Sequence, residues 1–152
     1  MFVLRLADRN DWPDIEEWVP VKGAPDSLRR LTLQAVVAET DGMLAGVGVF
    51  ELQGNAAVVH GIRVVDVERR QGIGFALLER AASEAAGRGA QWMFTRAQGC
   101  DRFLQRAGFE EERLDLVPEA AQAALQGAGG SLMSRASRAS RVDGSAREQQ
   151  LT

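Results

Sequence analysis

The chain has 152 residues, 45% of them apolar and 26% charged, with a net charge of −3. One domain with a core of ordinary size is the expectation at that length, the charge makes no case for a nucleic-acid partner, and no apolar run is long enough to span a membrane. With one cysteine, Cys100, one histidine, His60, and no secretory-type apolar stretch in the opening MFVLRLADRNDW, a cytoplasmic protein without disulfide or zinc site is expected.

FVLRLA (Phe2–Ala7) alternates apolar and polar residues and reads as a half-buried strand. DWPDIEEWV reads as a helix: Asp11 can cap it, Pro13 suits its first turn, and Ile15 and Trp18 share a face. APDSLRRLTLQ reads as a second short helix after Pro25. AVVAET and MLAGVGVFEL form a hairpin about Asp41-Gly42, and Gln53–Asn55 turns the chain into a strand over Ala56–Val65. A helix follows the Gly72-Ile73-Gly74 stretch and ends at Gly87 and Gly89. QWMFTRA is a strand, DRFLQRA a short helix closed by Gly108, FEEERLDLV a strand, and PEAAQAAL a last helix from Pro118.

The composition then changes. Residues 127–152 hold four Gly, five Ser and four Ala but only four larger apolar residues, and they repeat Ser-Arg-Ala. Such a segment buries too little to offset its ordering entropy. The expectation is a domain over 1–126 and a flexible arm over 127–152, which is either a solvated tail or a docking arm for a protein partner.

Two glycines stand where a helix begins. Gly72 and Gly74 lack a Cβ, so a ligand can approach the backbone there. The first amides of a helix have no internal partners and sit at its positive end, which suits a phosphate. Turning alone is the other use of such glycines. No Gly-Lys-Ser/Thr follows, and Leu77 stands where a dinucleotide fingerprint needs a third glycine.

The run VVDVERRQGIGFALLERA resembles the GNAT family of N-acetyltransferases, whose acetyl-CoA signature Arg/Gln-x-x-Gly-x-Gly/Ala it matches at Arg69, Gly72 and Gly74. The ending DRFLQRAGF (Asp101–Phe109) is similar to that family's aromatic helix and Gly-Phe pair, and the element order agrees over roughly residues 2–125. The resemblance implies an α/β fold: a mixed, mostly antiparallel central sheet flanked by helices, here with a low-complexity C-terminal arm. It implies acetyl-CoA as co-substrate, with its pyrophosphate on the amides of Arg70, Gln71, Gly72, Ile73, Gly74 and Phe75, and Arg69 as the cofactor-binding signature residue before them. Its pantetheine would lie in a gap between the strands at Ile62–Val64 and Trp92–Thr95, and its thioester carbonyl on an amide near Val64 or Val65. The implied partner is a small-molecule or peptide amine, with neither nucleic acid nor membrane involved; self-association stays open.

The resemblance also exposes a departure. Many relatives place a tyrosine acid where this chain has Leu104, and the chain has no tyrosine. Cys100 lies one turn earlier and reads as small apolar packing. A base remains available, since some relatives carry a catalytic histidine at the offset of His60, with Glu51 on the preceding strand as a second candidate. A packed strand histidine is the alternative. By alternation His60, Ile62 and Val64 share a face unless a bulge intervenes. Trp12, Trp18, Lys22 and Asp26 read as core anchors and solvated charges. Two functions stand: N-acetylation of an amine, or a non-catalytic member of the fold that docks into an assembly through its arm.

Overall fold

The computed structural model describes residues 1–21, 32–65, 72–125 and 129–137. Seven strands form one sheet in the order β1-β2-β3-β4-β5-β7-β6. They are β1 (Val3–Leu6), β2 (Leu33–Thr40), β3 (Met43–Gln53), β4 (Ala56–Val64), β5 (Trp92–Arg96), β6 (Glu110–Glu111) and β7 (Leu132–Ala136). β4 and β5 run parallel; the other neighbours are antiparallel. The helices are α1 (Trp12–Trp18), α2 (Ile73–Gly87), α3 (Asp101–Arg106) and α4 (Glu119–Leu125). Of the helix expected over APDSLRRLTLQ, residues 24–31 lie outside the described residues, and its last two, Leu33 and Gln34, instead open β2 by pairing with Glu51 and Phe50.

Alternation along the strands sorts side chains to two faces. Val36 and Ala38 of β2 join Phe50, Ala57 and Val59 beneath α2 and α3, where Leu77, Leu78, Leu104 and Phe109 pack. The intervening Ala35 and Val37 join Val47 and Val49 beneath α1, around Ile15 and Val19. Further along that second face, α4 covers Ala56, Val58, Phe94 and Leu132 with Val117, Ala121 and Leu125. The β2–β3 hairpin turns at Asp41 (φ 52°) and Gly42 (φ 77°), the left-handed pair that a two-residue turn requires.

Two expectations need correction. Only Glu110 and Glu111 of FEEERLDLV pair as a strand; Leu114–Leu116 form a short 3-10 turn. This is the sheet edge, and a run of glutamates there stays exposed rather than extending the ladder. The domain boundary expected at residue 126 also moves. Leu132–Ala136 form β7, an interior strand between β5 and β6, with Met133 fully buried. Its polar residues are satisfied instead of solvated. Arg135 donates to Glu79 Oε1 at 2.7 Å and to the Ala107 carbonyl at 2.9 Å, and its guanidinium lies 5.9 Å from the Phe109 ring centre. Ser134 Oγ donates to Glu112 Oε2 at 3.0 Å. Arg135 is therefore a pin between β7, α2 and the end of α3, not a charge available for docking. Residues 138–152 of the expected arm lie outside the described residues.

At the opposite edge, Arg5 of β1 grips both carboxylate oxygens of Asp11, at 2.7 and 2.9 Å, and also bonds Glu39 of β2. The hydrogen bonds from Arg5 hold the Asp11 carboxyl below its ordinary value, in spite of opposition from burial.

Two outcomes follow from these pins. Arg135→Met keeps the aliphatic stem but leaves Glu79 and the Ala107 carbonyl without their donor, so urea denaturation should show a loss of about 2 kcal/mol. A loss below about 0.5 kcal/mol, the range of an ordinary surface change, would mean that β7 is held by its apolar residues alone. For Asp11, a lowered native value means that its contribution is complete above the ordinary 3.8 and is lost as pH falls below that through the native value. Asp11→Asn should therefore reduce the slope of stability against pH on the acid side below 3.8, measured as urea midpoints across that range. An unchanged slope would remove Arg5–Asp11 from the acid response.

Candidate active site

The pairing of β4 with β5 runs from Ala56↔Trp92 to Val59↔Thr95 and stops, while β4 continues to Val64. At the last rung Thr95 Oγ1 donates to the Val59 carbonyl at 2.8 Å, so a side chain replaces the backbone at the point where the strands part. The result is a fork that opens towards the C-terminal end of β4.

The edge that β4 turns into this fork follows from its other side. The Val65 amide donates to the Ala45 carbonyl of β3 at 2.9 Å. Antiparallel ladders alternate bonded and non-bonded pairs, so Val64 (opposite Gly46) and Ile62 (opposite Gly48) turn their backbone groups away from β3. The Val65 amide, one of the two expected to meet a thioester, is thus bonded within the sheet instead.

The mouth of the fork meets α2. Gly72 is the residue before the helix and has φ 77°, a left-handed conformation that disfavours side chains. No side chain caps the helix there, and no acidic residue lies in its first turn. Ile73 is fully buried, Gly74 would meet the Phe103 ring at 3.5 Å if it carried a Cβ, and Phe75 is exposed. The positive end of this fifteen-residue helix lies beside β4: a Cβ on Gly74 would come within 3.8 Å of the Val64 side chain. Arg69, Arg70 and Gln71 lie outside the described residues. The helix sits close because β3 offers glycine beneath it: a Cβ on Gly46 would come within 3.0 Å of Ile73 and Leu77.

At the apex of the fork the structure brings together the two base candidates. The β3–β4 register slips between Val49↔Gly61 and Phe50↔Val59, which leaves His60 as the extra residue of a bulge. The bulge turns His60 away from Ile62 and Val64, which pack towards α2. His60 Nε2 meets Glu51 Oε1 at 2.8 Å, with both side chains largely buried, and Gln53 Nε2 donates to Glu51 Oε2. The pair occupies the second face, in line with Val47 and Val49 along β3.

A family model for the acetyltransferase (GNAT) family matches residues 3–109. The chain belongs to the GNAT acetyltransferase family.

Solved structures agree in fold. N-acetylglutamate synthase from Neisseria gonorrhoeae, complexed with coenzyme A and N-acetyl-glutamate, superposes with a TM-score of 0.75 at 17% identity, over 91% of this chain and 35% of that one. The present GNAT chain thus spans little more than a third of that synthase. A GNAT acetyltransferase from Staphylococcus aureus Mu50 gives 0.70 at 13% identity, over 91% of this chain and all of that one (100%). The ribosomal-protein-S18-alanine N-acetyltransferase from Escherichia coli gives 0.61 at 20% identity, over 90% and 94%. No curated protein sequence gives a match.

Around this GNAT site, the other expected residues take varied places. Leu104 is 4% exposed within the α2–α3 core, so the position where many relatives carry tyrosine holds packing here. Cys100 is exposed rather than packed; partial burial, then the negative charge of Asp101, pushes its thiol up and away from ready ionisation. Trp12 and Trp18, the first and last residues of α1, are partly buried and pack against the core beneath that helix, and the Arg63 guanidinium lies 5.9 Å from the Trp18 ring centre. Lys22 and Asp26 lie outside the described residues. No helix among the described residues is long and apolar enough to cross a membrane, and none of their His, Cys, Asp and Glu side chains cluster as a metal site would.

Three residues of the site carry no clear mark in the sequence. Gln53 reads as the first residue of a turn. Thr95 reads as an ordinary strand residue. Gly61 lies where a Cβ would come within 2.9 Å of Val19, so its lack of a side chain lets the end of α1 close over the bulge. Only that glycine inside a strand hinted at a close approach.

The two loop glycines should respond differently to alanine. Gly72→Ala forces a side chain into a left-handed residue and should cost about 1 kcal/mol. Gly74→Ala meets only an ordinary 3.5 Å contact and gains helix propensity, so its stability should fall by no more than about 0.5 kcal/mol. Thermal denaturation of the two variants distinguishes these values; equal costs would mean that Gly72 is not held in its positive-φ conformation.

Proposed function

We propose that the protein transfers the acetyl group of acetyl-CoA to an amine of a small molecule or peptide. The observation that carries this reading is the fork: β4 and β5 part after Val59 and Thr95, with the N-terminus of α2 beside Val64 on one face and the His60–Glu51 pair at the apex on the other. The coenzyme A held by the Neisseria synthase and the amine substrate named for the Escherichia coli enzyme support the class of chemistry.

The described residues fit such a co-substrate. The amides of Gly72, Ile73, Gly74 and Phe75 would hold its pyrophosphate at the positive end of α2, with Arg69, Arg70 and Gln71 completing the loop. The fork edge of Ile62 and Val64 would hold the pantetheine as an added strand does. When bound, acetyl-CoA supplies the activated acyl carbon.

The protein supplies the rest. An ammonium group is not nucleophilic until it loses a proton. His60 takes that proton, directly or through one water, and Glu51 stabilises the resulting imidazolium across 2.8 Å. The Leu104 side chain can give nothing to the departing thiolate, which leaves as the anion or takes its proton from solvent. A cytoplasmic setting is part of the proposal, as is an acceptor small enough to reach His60 beside α1.

Calorimetry with acetyl-CoA, followed by a coenzyme A release assay over a panel of amines, tests the proposal. Gly74→Glu puts a carboxylate at the helix N-terminus and should weaken acetyl-CoA binding by at least about 100-fold. His60→Ala should leave that binding unchanged and lower turnover by about 100-fold or more. Wild-type binding by Gly74→Glu would refute the loop assignment, and wild-type turnover by His60→Ala would remove the base.

A further inference from the structure

Glu51 and Gln53 stand two residues apart on β3, so alternation puts both on the face where His60 emerges from its bulge. Gln53 donates its amide to Glu51 Oε2, while Glu51 Oε1 meets His60 Nε2. A carboxylate oxygen only accepts, so Nε2 is the nitrogen that carries the proton, and the neutral ring keeps its lone pair on Nδ1. With the His60 and Glu51 side chains only 13% and 12% exposed, water competes weakly for these bonds.

We propose that Gln53 is a positioning residue for the base. By holding Oε2 it fixes the plane of the Glu51 carboxylate. That carboxylate in turn fixes both the tautomer and the ring orientation of His60, so that Nδ1 is the atom that receives a proton. Glu51 and His60 are then one unit rather than alternative bases. The balance is simple: the proton leaving the acceptor ammonium binds Nδ1, the Nε2 proton stays on its bond to Glu51, and solvent later removes the Nδ1 proton. Glu51 ends as it began, an anion. The donor of the proton rests on the acetyltransferase reading; the tautomer and the role of Gln53 do not.

His60 is the chain's one histidine, so its ring can be observed alone in the full-length, ¹⁵N-labelled protein without any substrate. The ¹⁵N shifts of the neutral ring should place the proton on Nε2, in an N–H that exchanges slowly enough to be seen. Gln53→Met preserves length and apolar body but removes the donor, and should speed exchange of that proton by about 10-fold, the equivalent of one lost hydrogen bond. It should also raise the fraction of the Nδ1–H form. Gln53→Leu, which also lacks the donor and carries no charge, should do the same, and serves if the methionine variant does not fold. A proton on Nδ1 in the wild type, or exchange unchanged in the folded variants, overturns the proposal. Acetyl-CoA calorimetry on the same samples keeps the two ideas apart. A wild type that fails to bind acetyl-CoA sinks the acetyltransferase reading and leaves the tautomer result standing.

Discussion

Everything at the site depends on one constraint: β4 and β5 are parallel neighbours that pair as far as Val59 and Thr95 and then separate. Parallel strands cannot be joined by a hairpin, so the chain must cross over between them, and it does so through α2. The crossover starts where β4 ends. A helix N-terminus is thereby delivered to the mouth of the gap that the parting strands leave. Neither half would serve alone. A fully zipped β4–β5 pair would give the helix nothing to face, and a fork without the crossover would lack a positive end.

Small residues then set the distances. Gly46 and Gly48 leave β3 bare where Ile73 and Leu77 of α2 lie, and Gly61 leaves β4 bare where Val19 arrives from the other face. Near the fork the sheet is therefore approached closely from both faces, by α2 on one and by Val19 on the other. The bulge at His60 adds the last element. It lets β4 serve two faces at once, giving Ile62 and Val64 to the α2 side and His60 to the side of Glu51. One extra residue separates the strand edge that can hold a ligand from the side chains that can move a proton.

Much of this was legible in the sequence, because it rests on local patterns. The Asp41-Gly42 turn, the alternating strands and the Gly-Ile-Gly entry to a helix each declare themselves within a few residues. The family resemblance implied a gap between β4 and β5, whose pairing does end at Val59 and Thr95, and brought His60 forward as a candidate; Glu51 came from its place on the preceding strand. What stayed hidden depends on partners distant in the chain. Ser134 and Arg135 look like solvated tail until Glu112, Glu79 and Ala107 are brought to them. Gln53 looks like a turn residue until Glu51 leans on it. The engagement of the Val65 amide follows from the β3–β4 register, which no window of sequence displays. Composition misleads most where every polar group in a segment finds a partner at long range.

The place of β7 has a consequence for how the molecule is made. The strand is late in the chain, yet it fills an interior position between β5 and β6. During synthesis β6 has no neighbour to pair with, and the outer edge of β5 stays open, until Leu132–Ala136 leave the ribosome. The first four strands and α2 can assemble earlier around their own contacts, but the β5–β7–β6 end of the sheet must wait. For that interval β5 has an edge without its partner strand, the kind of edge on which another chain can pair. The glutamates of β6 and the late-arriving Arg135 therefore bear on the nascent protein's solubility as well as on the finished fold.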